Sequence, residues 1–173
     1  GTADNGLDRM NLITGEFTHY RHDPEDSGSL NSDHVELLHI GPQGNLFVET
    51  QSGVLEYYDT KVDGFLPALS NLIGYRSGSS TTAIANDPQG RLWVSQASGK
   101  LLRVDPDSNV IVGYDLATYA SAPIQDIVIT DIYADPAEIV WLATANYGLV
   151  RFDWDQSIFS AFPSQSDGSG PSH

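Results

Sequence analysis

The chain has 173 residues, with 8 Lys+Arg against 23 Asp+Glu, giving a formal net charge of -15 and an isoelectric point near 4.3. Eight scattered cations supply no basic patch for phosphate, which argues against a nucleic-acid partner and against contact with an anionic membrane surface. Hydrophobic residues at 40% suffice for a packed core, and the absence of cysteine removes disulfides, thiolate catalysis and Cys-ligated zinc.

In chain order, Gly1 to Gly6 lacks the basic start and apolar stretch of a signal peptide, and no run of about 18 apolar residues follows, so the segment reads as soluble, mature or excised. Gly6 to Tyr20 supplies the last strands of one unit. An acidic loop, Asp23 to Asp33, leads to four short predicted strands: Val35 to Ile40, Leu46 to Thr50, Gly53 to Asp59 and the stretch around Phe65. Ser77 to Ser80 reads as a flexible connection. Equivalent units follow from Thr81 to Tyr114 and from Ile127 to Phe162, with a helical turn expected only near Leu116 to Ala120 and a polar tail from Ser164 to His173.

The units are repeats. Gly41-Pro42-Gln43-Gly44-Asn45-Leu46-Phe47-Val48 recurs as Asp87-Pro88-Gln89-Gly90-Arg91-Leu92-Trp93-Val94 and, more loosely, as Asp135-Pro136-Ala137-Glu138-Ile139-Val140-Trp141-Leu142. The aromatic column Phe47, Trp93, Trp141 is thus spaced by 46 and 48 residues. A second column ends at Asn11, Asp59, Asp105 and Asp153, and a third places Phe17, Phe65, Ile111 and Phe159 six residues beyond. Four strands in a period of about 40 to 50 residues is the pattern of a propeller blade. One such sheet cannot shelter both faces alone, so the apolar columns and their aromatics are expected to pack between neighbouring blades.

The expected fold is therefore all-β, a partial β-propeller of about three complete four-stranded blades plus part of another. Blade units are placed at 6–33 (partial), 34–79, 80–124 and 125–163, with 164–173 as tail. A closed ring typically needs about four to eight blades. The segment is accordingly expected to be cut from a longer chain, or to associate in copies that cover its open ends.

Asn5-Gly6-Leu7-Asp8-Arg9, Thr14-Gly15-Glu16-Phe17-Thr18-His19-Tyr20, Asp23-Pro24, Ser29-Leu30-Asn31-Ser32 and Gly44-Asn45-Leu46-Phe47-Val48 together resemble the two-component regulator propeller repeat family. Later units keep the Leu-Trp and Arg-x-Asp elements; Ala137-Glu138 replaces the Gln-Gly turn, and Tyr57 stands where other units carry Arg. The resemblance implies the periplasmic sensor region of a membrane-bound regulator, of hybrid histidine kinase or diguanylate cyclase type. Some lyases use related blades.

Chemical motifs are sparse. The histidine pairs His19/His22 and His34/His39 point partly to different faces and show no zinc-protease spacing, so neither a metal nor a cofactor is expected. Asp23-Pro24-Glu25-Asp26-Ser27-Gly28 places oxygen side chains like a calcium loop, but His34 occupies the twelfth position where a bidentate Glu is needed. Nucleophile elbow, P-loop and dinucleotide fingerprint are all missing, and no catalytic residue is assigned. Arg9, Arg103 and Arg151 occupy equivalent positions and are the candidates for gathering an anionic small molecule or carbohydrate. The competing reading pairs Arg103 and Arg151 with Asp105 and Asp153, two residues on along the same strand face.

The functional expectation is a non-enzymatic sensory or ligand-binding module of an extracytoplasmic receptor. Its partners would be an unidentified ligand and other blades of the same chain or a second copy. The rivals are a propeller lyase or hydrolase with His34 or His39 as base beside a carboxylate, and a pure assembly module.

Overall fold

The computed structural model describes residues 1–68, 80–105, 108, 110–119, 126–154 and 158–162. The Ser77 to Ser79 connection, Ala120 at the end of the expected helical turn and the 164–173 tail lie outside the described residues. The chain divides into two compact units, Gly1–Ser80 and Thr81–His173.

In the first unit, β1 (Leu7–Met10) and β2 (Phe17–Tyr20) form a two-stranded antiparallel sheet. The hairpin turn is set by Asn11, whose Oδ1 accepts the N–H groups of Ile13 and Thr14, and by Gly15 at φ 76°. A four-stranded sheet follows in the order β3 (Val35–Ile40), β4 (Leu46–Thr50), β5 (Leu55–Asp59), β6 (Gly64–Pro67). Leu7, Leu30, Val48 and Phe65 form the core of this unit, with Tyr20, Val35, Leu46 and Tyr58 packed around them.

Two more four-stranded antiparallel sheets make up the second unit. One runs β7 (Thr81–Asn86), β8 (Leu92–Gln96), β9 (Lys100–Asp105), β10 (Val110–Asp115). Helical turn α1 (Leu116–Tyr119) precedes the other, β11 (Ile129–Ala134), β12 (Ile139–Thr144), β13 (Gly148–Asp153), β14 (Ile158–Phe162). A core of Trp93, Leu101, Tyr114, Leu116, Ile129, Leu142, Val150, Phe152 and their neighbours lies between them. Two of the three aromatics of the repeated strand are core residues, Trp93 fully buried and Phe47 nearly so, while Trp141 is only partly buried.

The three four-stranded sheets share their irregularities as well as their order. Each first strand carries a register shift at its start, between Val35 and Leu37, Thr81 and Ala83, and Ile129 and Asp131. These bulges recur at the 46- and 48-residue intervals of the sequence repeat. The turn after each first strand is equally constant, with Gly44 and Gly90 at φ 79° and 82° and Glu138 at φ 62° in the equivalent place. Glu138 thus holds a left-handed conformation that costs an L-residue about 1 kcal/mol.

Candidate functional site

Side-chain chemistry in the first unit gathers where the hairpin meets the four-stranded sheet. Tyr20 on β2 and Tyr58 on β5 both donate to Asp63 Oδ1, the former at 2.8 Å, and their hydroxyls lie 3.2 Å apart. Arg9 donates to Tyr58 Oη, stands 3.5 Å from Asp63 Oδ1, and places its guanidinium 5.4 and 5.6 Å from the centroids of the two tyrosine rings. Burial, reinforced by the bonds to Tyr58 and Asp63, pushes the Tyr20 phenol well above its usual range. The phenolic donors, Tyr58 first, hold the Asp63 carboxyl below its usual range. Arg9 is therefore engaged as a latch that fastens β1–β2 onto the neighbouring sheet.

Beside it runs a polar thread through the acidic loop. Glu56, 1% exposed, accepts hydrogen bonds from the backbone N–H of Asn31 at 3.2 Å and from its side-chain amide at 2.8 Å. Burial raises the Glu56 carboxyl above its ordinary value, and the Asn31 donors only partly offset this. His22 Nδ1 lies 2.7 Å from the Leu30 carbonyl, and Leu30 is itself fully buried. The Ser-Leu-Asn-Ser element of the sequence resemblance thus holds the loop to the sheet. Asp23 and Asp26 spend their carboxylates on the N–H groups of Glu25 and Gly28, each at 2.9 Å, as turn caps.

In the second unit, Arg103 and Arg151 stand on β9 and β13 as the cross-strand partners of Trp93 and Trp141. Arg103 stacks on Trp154, 4.1 Å from the ring centroid, and Arg91 lies 4.7 Å from the same centroid. Arg151 pairs with Asp153 at 3.6 Å, the within-strand pairing expected for this column. Arg9 belongs to the other unit, so the three candidate arginines are each taken up by their own neighbours.

Sequence reasoning missed a clasp that recurs in the turns. Asp87 accepts the indole N–H of Trp93 at 3.1 Å, the N–H groups of Gln89 and Arg91 at 3.0 and 2.9 Å, and Arg91 Nε at 2.6 Å. Asp135 repeats it with the Trp141 indole at 3.1 Å and the N–H groups of Ala137 and Ile139 at 2.8 and 3.2 Å. Partial burial opposes ionisation of Asp135, but the indole and the two backbone donors outweigh it and hold the carboxyl below its usual value. In the first repeat Gly41 and Phe47 replace the pair, and a Cβ at Gly41 would lie 2.5 Å from the Phe47 ring. The signal was present in two aligned columns, where Asp accompanies Trp and Gly accompanies Phe.

The histidines proposed as bases stand apart. His34 precedes β3 and His39 lies near its end, so they are separated by about 17 Å of strand at about 3.3 Å per residue. A His–carboxylate contact joins β1 and β2, with His19 Nδ1 2.8 Å from Asp8 Oδ1 and Arg21 3.1 Å from the same oxygen. These two partners, His19 first, hold the Asp8 carboxyl low. Among the described residues, no group of three or more His, Asp or Glu is placed to hold a metal ion, and no helix is long and apolar enough to cross a membrane.

No family model matches the sequence, and no curated protein does. Solved structures do match. The extracellular domain assigned to a hybrid two-component system, BT3049 of B. thetaiotaomicron, superposes with a TM-score of 0.69 at 22% identity, over 96% of this chain and 23% of that one. That assigned to a one-component system, BT4673 of the same organism, gives 0.69 at 20% identity over 97% and 26%. The chain has their fold. It also superposes on virginiamycin B lyase from Staphylococcus aureus, in a catalytically inactive His-to-Ala form with quinupristin, at a TM-score of 0.64 and 19% identity over 96% of this chain and 51% of the lyase. The chain spans about a quarter of the length of the first two and about half of the third. The likeness to extracellular domains of two-component systems accords with the propeller-repeat resemblance read from the sequence.

Proposed function

We propose that the chain is a partial β-propeller, its three four-stranded sheets serving as complete blades and β1–β2 as part of another. In this reading it is the non-enzymatic sensory portion of a receptor that lies outside the cytoplasm and signals through an output domain elsewhere in its protein. The observation that carries the reading is the threefold recurrence of one four-stranded sheet, bulge and turn included, in a chain whose fold matches extracellular domains assigned to a hybrid two-component system and to a one-component system. Arg9 stacks on Tyr20 and Tyr58, Arg103 on Trp154, and Arg151 pairs with Asp153, so the three would support a ligand surface, with capture of an anionic sugar at the half-exposed Arg9 guanidinium the form such binding would take. A thermal-shift screen against acidic and neutral oligosaccharides tests this. A saturable rise in Tm with the ligand recovered unchanged supports the sensory reading; chemical conversion of any bound compound contradicts it.

The likeness to virginiamycin B lyase supports a second reading, an enzyme using a histidine. Asp8–His19 is a His–carboxylate pair placed for it, at 2.8 Å. Incubation with quinupristin, followed chromatographically, separates the two: conversion that is lost in His19→Ala favours the enzyme, and unchanged quinupristin favours the sensor.

A further inference from the structure

Cross-strand register sets Glu56 on β5 opposite Val48 on β4. The same register sets Leu102 opposite Val94 and Val150 opposite Leu142 in the other two four-stranded sheets. Leu102 and Val150 are 4% and 0% exposed, and Glu56 is 1% exposed. One repeat therefore carries a carboxylate at a place that the other two fill with an apolar side chain, so the sheet itself has no need of the charge. Taking a carboxylate out of water is costly unless a cation pairs with it. Among the described residues no Lys or Arg pairs with Glu56; the charged group that acts on it is His22, in the connection between β2 and β3, and that attraction is the weakest of the influences on it.

What the carboxylate does touch is this connection. Asn31 takes both of its oxygens, Oε2 with the backbone N–H and Oε1 with the side-chain amide. Asn31 is itself exposed and so closes the buried carboxylate off from solvent. The residues before it make a lobe of their own. Asp23 and Asp26 cap its turns, Ser29 Oγ donates to the Asp23 carbonyl at 2.9 Å, and His22 Nδ1 meets the Leu30 carbonyl. The lobe reaches the sheet through the buried Leu30 side chain and through the Gly28 carbonyl, which accepts the Phe65 N–H at 2.8 Å. The other ionisable groups of this face are taken up elsewhere: Arg9, Tyr20, Tyr58 and Asp63 with one another, and Asp33 with the His22 N–H at 2.7 Å.

We infer that Glu56 and Asn31 form a proton-operated catch for the β2–β3 connection, closed while Glu56 holds a proton and released as Glu56 gives it up, so that residues 22–31 leave the sheet while the sheet stays folded. The sign follows from burial. In the closed form the carboxyl is raised above 4.5; once the lobe lifts, water reaches it and the ordinary value returns. The closed form thus binds the proton more tightly, its advantage is complete below 4.5, and it is lost as pH rises through the raised value. Between the two values the opening constant grows by about tenfold per pH unit. Opening is local because the lobe is stitched mainly to itself and meets the sheet at few points. The catch lies wholly within the first unit and rests on neither the propeller nor the sensory reading.

Hydrogen exchange of the whole chain, read residue by residue by NMR as protection factors corrected for the intrinsic rate, tests this between about pH 4 and 8. The Asn31 and Phe65 amides report the catch and the lobe, and the Gly41 amide, bonded to the Asn45 carbonyl in the β3–β4 turn, reports the sheet. In wild type the protection of Asn31 and Phe65 is expected to fall by up to about tenfold per pH unit and then level off, while that of Gly41 holds. Glu56→Gln removes the titrating proton and keeps an acceptor, and Glu56→Leu writes the second sheet's residue into the first; in both, the protection of Phe65 is expected to be the same at every pH. A wild type with flat protection at Asn31 and Phe65, a Gly41 amide that loses protection in step with them, or a pH dependence that survives both substitutions overturns the proposal.

Discussion

The β3–β4 and β7–β8 turns solve one problem in two ways. Both close the same hairpin, with the N–H of Gly41 bonded to the Asn45 carbonyl and that of Asp87 to the Arg91 carbonyl, and both place an aromatic six residues after the turn's first position. Where the aromatic is Trp93, its buried N–H must find an acceptor, and Asp87 supplies one while capping the turn. Where it is Phe47 there is no donor to satisfy, and the ring settles against the space that a side chain at position 41 would need. Turn residue and strand aromatic therefore vary together, within a single chain, for a reason of hydrogen bonding on one side and volume on the other.

The largest effect is expected from breaking the buried clasp. Asp87→Ala leaves the Trp93 indole N–H, at 0% exposure, without its acceptor and uncaps the turn, for a loss on the order of 3 kcal/mol in urea unfolding followed by tryptophan fluorescence. Gly41→Ala drives a methyl into the Phe47 ring and is expected to cost about 2 kcal/mol, readable as a lowered Tm, whereas the same change at Gly44, whose surroundings are open, acts only through its φ of 79°.

Asp135→Ala comes next, at about 1 kcal/mol, because Trp141 is only partly buried and its N–H can turn to water. Its pH signature has a definite sign. The Asp135 carboxyl is held below 3.8 in the folded chain, so its contribution is present above that value and fades as pH falls through the lower folded value. Glu56, raised above 4.5 by burial, behaves oppositely: its contribution is full below 4.5 and is lost as pH rises through the raised value. Urea midpoints between pH 3 and 7 are expected to tilt one way in Asp135→Asn and the other in Glu56→Gln, each relative to wild type. The smallest change is a gain: Glu138→Gly relieves the φ of 62° in the third turn and is expected to add roughly 0.5–1 kcal/mol, as a small rise in Tm.

Backbone features that depend on local pattern were legible in the residues. Val35–Ile40 and Leu46–Thr50 form strands at the bounds that alternation and the flanking Pro/Gly turns indicate, and the helical turn begins at Leu116. The third strand starts at Leu55, not Gly53, because Gly53 adopts φ 70° and donates to the Thr50 carbonyl as part of the turn. Side-chain meetings between elements were harder to read. Arg9 sits against Tyr58 and Asp63, about fifty residues away, and nothing in its own strand announces that. Asp8–His19 was within reach, since the tight turn after β1 sets them directly opposite on adjacent strands. Sheets that repeat their backbone recipe can still spend a shared column differently: Arg9 on tyrosines, Arg103 on an indole, Arg151 on a carboxylate.

A double-mutant cycle across positions 87 and 93 tests most directly whether the repeated sheet is locked by this turn-to-strand pairing. Asp87→Gly, Trp93→Phe and the double variant, which writes the first repeat's solution into the second, are compared by chemical denaturation. The account predicts that the double variant is less destabilised than the two single losses combined, by about 1–3 kcal/mol of coupling. Additive losses, with no coupling beyond error, would contradict it.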